Sequence, residues 1–392
     1  VAPAVMARTS SAGEVSARIT TLGSWVGGVQ IADGVSMEDF LRAVERAVEA
    51  GTRTLAVETT SKSLASGFAW RWPARVAVFT NLTRDHLDYH KTPEEYLAAK
   101  AQLFLSLPDA GVAVLNAAAP SSALLAELMK PEVRRMAFTA RGVAEPCAGI
   151  PVRLSASNVT VSREGTHVTL APSGLAEALG GELRLRVIGE VNAENALAAA
   201  AATEALGYAP PAIRAGLEGL AGVPGRFEVI SREPLVVVDY AHTPDALART
   251  LALGRRLAEA GGGRVRCVFG CGGDRDRGKR PQMGKIADEA ADDVFLTSDN
   301  PRGEDPAAIA EMVEAGATDR KAKWTRAPDR AAAIRQAVRS AAPADVLIIA
   351  GKGHERTQEV RGKKTPFSDV DEARRALAEE GRGKAGTTDE HR

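Results

Sequence analysis

Apolar positions recur at helical spacing through SMEDFLRAVERAVEAG (36–51), a stretch that opens on a serine suited to cap a helix and closes on glycine. Three short apolar runs follow, TLAVETT (54–60), RVAVFTN (75–81) and GVAVLNA (111–117), of the kind a parallel sheet buries on both faces. TPEEYLAAKAQLFLSL (92–107) predicts a capped helix between two of them, so these segments form a βαβ unit. PVRLSASNVTVSREGTHVTLAP (151–172) changes period: it alternates polar and apolar residues about a glycine turn and predicts a small antiparallel patch. Helices are expected near 192–206 and 211–220, and VPGR (223–226) marks a break.

After the break the alternation restarts. Strands are expected at LVVVDYA (235–241), RVRCVFG (264–270), DDVFLTS (292–298) and DVLIIAG (345–351), and helices at 243–260, 281–291, 305–317, 327–341 and 368–380. That order predicts a doubly wound α/β domain, whose ligands belong at the carboxyl edge of the sheet, where backbone N–H groups and helix N-termini face outward. The last residues, GRGKAGTTDEHR, read as a disordered tail. With 392 residues the chain exceeds one ordinary core, and two domains are expected.

Charge narrows the partners. Fifty basic and fifty acidic side chains cancel, so no long-range field selects nucleic acid or an anionic membrane surface, and a small-molecule ligand is expected instead. Three cysteines cannot build a disulfide framework and fit a reducing cytosol. No apolar run approaches the roughly 20 residues of a membrane span and no signal peptide is recognisable, so a soluble, cytoplasmic protein is expected. The chain opens on VAPAVMARTS with no cap or turn signal, as if entering mid-element.

Four of the six histidines, His86, His90, His242 and His354, stand just past predicted strands beside Asp, Gly or Pro. Loop histidines satisfied by backbone would look similar, but the clustering favours a functional edge. TNLTRDHLDYH (80–90) is the densest cluster. If the strands ending at Glu58 and before His86 are neighbours, one carboxylate and one imidazole converge, leaving room for water and phosphate oxygens as Mg²⁺ prefers. Asp85 and Asp88 are then placed to orient the imidazole; His90 stays open between site and loop. Cys267 and Cys271 lack a second pair for structural zinc. Gly273 to Lys279 formally fits G-x4-G-K, but Arg280 stands where a phosphate-binding loop needs a hydroxyl. Arg275, Arg277, Lys279 and Arg280 still suit a carboxylate or phosphate. No G-x-G-x-x-G follows a strand, which leaves a nicotinamide dehydrogenase unsupported. Arg302 of DNPR (299–302) and Glu355 of GKGHE (351–355) would suit a zwitterionic amino acid, the alternative being a solvated salt bridge.

TNLTRDHLDYH, YLAAK (96–100), GEVNAENALAA (189–199), VPGR, VVVDYAHTPDAL (236–247), GCGGDRDRGKRPQMG, DNPRGEDP and GKGHE, in this order, resemble the Mur ligase family over about residues 21–380. The likeness is greatest to its UDP-N-acetylmuramoyl-tripeptide synthetase branch. It implies a central ATP-binding domain of the phosphate-loop type at 1–227, with a parallel sheet and small antiparallel patch, a Rossmann-like amino-acid-binding domain at 228–383, and a tail at 384–392. It also implies an ATP-dependent ligase of peptidoglycan precursor synthesis, in which a peptide carboxylate becomes an acyl phosphate and an amine displaces the phosphate. Matched motif by motif, Glu58, His86 and a carbamylated Lys100 would serve catalysis and hold Mg²⁺. Asn192, Asn195, Arg226, Asp239, Tyr240 and His242 would hold ATP. Thr60, Ser61, Arg280, Asp299, Asn300, Pro301, Arg302, Gly351 and Glu355 would hold substrates. DNPR implies meso-diaminopimelate joined to the UDP-N-acetylmuramoyl dipeptide, and the family resemblance implies a monomer.

The sequence departs from the family pattern at several places. Lys62 stands where the family has histidine, and NAAAP (116–120) lacks an acidic pair. The family's glycine-rich ATP loop and amino-terminal domain do not align with any part of the sequence, and Val1 falls a few residues past that loop's Lys-Thr. Three readings follow: a fragment of a ligase, inactive alone; a non-catalytic homologue acting as a binding or scaffold protein; or a folylpolyglutamate-synthetase-like ligase, against which DYAHTPDAL with DNPR argues.

Overall fold

The computed structural model describes residues 15–34, 36–82, 87–141 and 147–382. The tail at 384–392 and His86 with Asp85 lie outside them, as does the side chain of Asp88. The architecture is α/β, and the chain divides into two compact units, Val1–Val161 with Gly165–Ala221, and Ser162–Glu164 with Gly222–Arg392. VPGR therefore belongs to the second unit.

The first unit carries two sheets. β1 (Ala17–Thr20), β2 (Gly23–Val26) and β3 (Val29–Ala32) form an antiparallel meander, and β4 (Leu55–Val57) runs parallel to β1 on its other side. Between β3 and β4 lies helix Met37–Glu49, started by a reciprocal cap in which Ser36 and Asp39 satisfy each other's backbone N–H. Its apolar face sets Phe40 and Ala43 against Ile19, and Phe40 meets Phe68 and Trp72 edge to face, centroids 5.1 Å apart in both pairs.

The other sheet holds β5 (Val76–Phe79), β6 (Val112–Asn116), β7 (Arg134–Thr139), β8 (Val152–Val161), β9 (Thr166–Leu170) and β10 (Glu182–Leu185), in spatial order β10-β9-β8-β7-β6-β5. β5 to β8 are parallel, and β8 to β10 make the antiparallel patch that the alternation in 151–172 predicts. Helix Glu190–Ala205 crosses this sheet on Ala196, Leu197 and the run Ala198–Ala202, all almost wholly buried, the alanines being small side chains that let the helix lie close to the strands. The sequence expectation fails on one point: β4 is hydrogen-bonded to β1, not to β5, so the strands that precede Glu58 and His86 are not neighbours in a common sheet.

In the second unit the spatial order is β11-β12-β16-β13-β14-β15, built from β11 (Glu228–Arg232), β12 (Leu235–Asp239), β13 (Val265–Phe269), β14 (Asp293–Leu296), β15 (Lys323–Arg326) and β16 (Val346–Ala350). All pairs are parallel save β11 with β12. Strand period decides which helix each residue meets. Leu347 and Ile349 join the cluster with Ile334, Val338 and Leu377. Ile348, between them, turns to the opposite face, where Gly254 of helix Pro244–Ala260 leaves room for it. A hairpin, β17 (Thr357–Val360) with β18 (Lys363–Pro366), follows the GKGHE loop.

Candidate functional site

The second unit gathers its motifs at the carboxyl ends of β12, β16, β13 and β14. Gly225 opens this corner: its φ is +65°, and a methyl group there would lie 2.2 Å from the backbone N of His354, so VPGR and GKGHE pack backbone to backbone. The Gly225 carbonyl accepts from Tyr240 N at 2.8 Å, tying both to the end of β12. Arg226 lies over the Tyr240 ring at 4.9 Å, and His242 and His354 stack around the same ring at 4.5 and 5.2 Å. Burial, above all, pushes the Tyr240 phenol up. Asp239 is a backbone organiser, accepting from Phe227 N at 2.7 Å, Ala241 N at 2.9 Å and Thr250 Oγ1 at 3.2 Å. Lys279 reaches the His242 carbonyl at 2.8 Å.

DNPR and GKGHE meet through a lysine that the motifs alone do not single out. Lys352 is fully buried, and its Nζ donates to Asn300 Oδ1 at 3.0 Å, Glu355 Oε2 at 2.8 Å and the Thr357 carbonyl at 2.8 Å. Asn300 Nδ2 donates to the same Glu355 oxygen at 2.8 Å. Burial pushes the Glu355 carboxyl up, but the bond and charge of Lys352, with the Asn300 bond, outweigh it and hold the group below its ordinary value. Asp299 is buried, and desolvation pushes its carboxyl up against the pull of the Arg330 and Lys352 charges. Gly351, at φ +115°, leaves room for it, since a methyl group there would sit 2.7 Å from Asp299 Oδ2. The Pro301 carbonyl accepts from Glu304 N at 3.0 Å.

Two expected ligand-binding arginines have internal partners. Arg280 is fully buried, its two Nη atoms donating to Glu304 at 2.8 and 3.0 Å. Helix Lys279–Ala290 starts at the end of the Gly-rich loop, and Glu304 of DNPRGEDP reaches Arg280 from 24 residues along the chain. Arg302 is partly buried, in left-handed backbone at φ +51°, with Nη1 on the Gly273 carbonyl at 2.8 Å and Nε 4.0 Å from Glu359. Glu355 is bonded to Lys352 and Asn300 rather than to Arg302, which excludes the simple salt bridge between them.

In the first unit, Glu58 is exposed and accepts from Thr21 N at 2.9 Å and Thr21 Oγ1 at 3.1 Å. Thr60 caps helix Ser61–Ala65, and buried Ser61 pairs its hydroxyl with His90 Nε2 at 2.8 Å. His90 is thus a buried histidine with a structural partner. Lys100 is partly buried, its ammonium 4.9 Å from the Tyr96 ring centre, and Lys62 stands 5.0 Å from that of Tyr89. Asn192 donates to the Ile188 carbonyl at 2.9 Å, and Asn195 is partly exposed one turn along the same helix. Among the described residues no three His, Cys, Asp or Glu side chains gather as a metal site.

Residues 16–203 match the Mur ligase middle domain, and residues 225–353 the Mur ligase glutamate ligase domain. A UDP-N-acetylmuramoyl-L-alanyl-D-glutamate--2,6-diaminopimelate ligase of Ralstonia nicotianae is 41% identical over 378 residues, 95% of this chain and 72% of the relative. The chain belongs to the Mur ligase family. An Acidovorax enzyme of the same name is 41% identical over 371 residues, covering 93% of this chain and 71% of its own length. The solved structure of a ligase bearing that name superposes with a TM-score of 0.70 at 32% identity, over 97% of this chain and 76% of that one. The structure of E. coli FolC in complex with DHPP and ADP, at 21% identity and a TM-score of 0.64, covers 90% of this chain and 84% of its own and shares the fold. Within this Mur ligase chain, Lys352 and Glu304 are the polar residues that the motifs left unread: one sits inside GKGHE and the other two positions past DNPR.

Proposed function

We propose that the chain serves ATP-dependent amide ligation in peptidoglycan precursor synthesis, adding meso-diaminopimelate to UDP-N-acetylmuramoyl-L-alanyl-D-glutamate in the cytoplasm. The identity to relatives named for that reaction supports the substrates. In the reaction the dipeptide carboxylate takes the γ-phosphoryl group of ATP, releasing ADP. The amine of the amino acid then attacks the acyl carbon and releases phosphate, losing a proton as the amide forms. Residues 1–227 would bind ATP, with Asn192 and Asn195 on the base side, and residues 228–383 the amino acid. Arg226, exposed beside the Tyr240 ring, is suited to nucleotide phosphate. Magnesium, when bound, would neutralise phosphate charge; Glu58, His86 and a carbamylated Lys100 remain the residues that the family resemblance offers for it. A monomer with small-molecule partners fits this reading.

The observation that carries the amino-acid assignment is the corner where Glu355 is held as a carboxylate beside the Asn300 amide and DNPR. An ammonium is the complementary ligand group, and the partly exposed face of Arg302 is suited to a carboxylate at the far end of a longer amino acid. Calorimetric titration of the 392-residue chain should show meso-diaminopimelate bound at least about tenfold more tightly than lysine, which lacks the second carboxylate. Equal heats for the two, or none for either, would remove the assignment.

A further inference from the structure

We propose that Lys352 is a positioning residue of the amino-acid site, sealed beneath GKGHE so that it fixes one oxygen of Glu355 and leaves the other, as carboxylate, for the ligand's ammonium; this role rests on the function proposed above. Its basis is the geometry of one buried ammonium. Lys352 is fully buried, and all three of its N–H donors are used, on Asn300 Oδ1, Glu355 Oε2 and the Thr357 carbonyl. A buried ammonium is retained where it is both paired and fully hydrogen-bonded, and this one meets both conditions.

The bonds on Glu355 are one-sided. Lys352 Nζ and Asn300 Nδ2 both fall on Oε2 at 2.8 Å; among the described residues no hydrogen bond to Oε1 is seen, and the side chain keeps about a third of its surface, 32%, exposed. Oε2 is therefore saturated by the protein, and Oε1 is the acceptor left for a ligand. Lys352 also holds Asn300 by its carbonyl oxygen, which turns the amide nitrogen toward Glu355 and fixes the orientation of a DNPR residue. Charge facing Glu355 comes from several elements. Lys352 and His354 lie on its own loop, Asp299 follows β14, Tyr240 follows β12, and Arg330 starts helix Arg330–Ser340. Asp299 is the acidic member of that set and is itself pushed toward its neutral form by burial, so Lys352 is the cation in direct contact that keeps Glu355 charged.

A lysine that merely props the loop would weaken binding equally at every pH, whereas one that sustains the charge makes the loss depend on pH. The sign follows from the depressed carboxyl: binding is present above the folded-state pKa and is lost as pH falls through it. Titration of the full chain with meso-diaminopimelate from about pH 8 to about pH 4.5 should give a near-constant Kd for the wild type down to about pH 5. Lys352→Met should bind at least about threefold more weakly at the acid end, the change expected of a carboxyl raised by about one unit, and should recover toward pH 8. Lys352→Gln, which keeps hydrogen-bonding capacity without charge, should show the same displacement if it folds when the Met variant does not. A parallel loss at all pH values, an unchanged Kd, or failure of both variants to fold would overturn the proposal. Carboxyl ¹³C NMR of Glu355 gives a ligand-free reading, expected to titrate at higher pH in either variant and refuting the proposal if unmoved. A wild-type chain that binds no diaminopimelate would count against the proposed function, while that NMR titration would still decide the role of Lys352.

Discussion

Glu304 accepts from both Nη atoms of the buried Arg280 and from Asp274 N, and the arginine bonds, more than any other influence, bring its carboxyl down to about 2. The depressed value means that the pair stabilises the fold fully above the ordinary glutamate range near 4.5 and loses that contribution as pH falls toward about 2. Glu304→Gln removes the charge that Arg280 faces, so the variant should melt below the wild type at neutral pH, with the gap between the two Tm curves narrowing as pH drops through that window. Asp288, Asp292 and Asp345 are also held below their ordinary values and titrate in both proteins, so the difference between the curves, not their common fall, reports Glu304. A gap that stays constant with pH would show that the ion pair does not carry the effect. At this scale the sequence tells chemistry better than partnership. Arg280 is legible as a carboxylate binder, and it binds one, but the carboxylate is Glu304, 24 residues along the chain, a separation that no local motif encodes.

Elements are set by period and punctuation, which is why most of them are readable. The pattern predicts a helix at 368–380, and Asp369–Glu379 is found, with Ser368 accepting from Asp371 N; it predicts a strand at 345–351, and Val346–Ala350 is found, every residue buried. What escapes are strands that lack long apolar runs, among them β1 to β3, β7, β10, β11, β15 and the hairpin β17–β18, of which β7 lies inside its sheet. KWTR of β15 has no buried residue, and both β11 and β15 form edges of their sheet. The pairing of β4 with β1 escapes too, since three residues of strand carry no information on their neighbour. Turn residues carry tertiary information that only packing makes visible. Gly225 adopts left-handed backbone and touches the His354 and Gly353 backbone, so a side chain there must move the GKGHE loop. Gly225→Ala should lose about 1–2 kcal/mol from the left-handed backbone alone, with the overlap adding to that. Urea unfolding measures the total, and diaminopimelate titration should show a weakened Kd because the displaced loop carries Lys352 and Glu355. Unaltered stability and Kd would mean that the loop yields without consequence.

At the scale of the whole molecule, the question is which part is a folding unit. Residues 222–382 contain every strand of the sheet β11-β12-β16-β13-β14-β15 and the helices that cover it. Val236, Val238, Val268, Leu347 and Ile349 are buried there against Ala333, Ile334, Ala337, Val338 and Leu377, and the fully buried pair of Arg330 with Asp369, at 2.7 Å, ties the starts of two of those helices together. At about 160 residues the segment is long enough to bury about 70% of the surface its unfolded chain exposes, the regime in which single domains fold alone. Expressed by itself, it should unfold in urea in one cooperative transition. Trp324 supplies the probe: of the four tryptophans in the chain it is the one within this segment, and its indole N–H donates to the Asp288 carboxylate at 2.7 Å, a hydrogen bond that breaks when helix Lys279–Ala290 and β15 separate. Its fluorescence and far-ultraviolet circular dichroism should trace coincident curves, since β15 sits at the sheet edge and reports global unfolding only if the edge is as stable as the centre. Fluorescence changing at clearly lower urea would show the β14–β15 edge fraying independently. A broad transition by both probes would show that the segment needs the rest of the chain to fold.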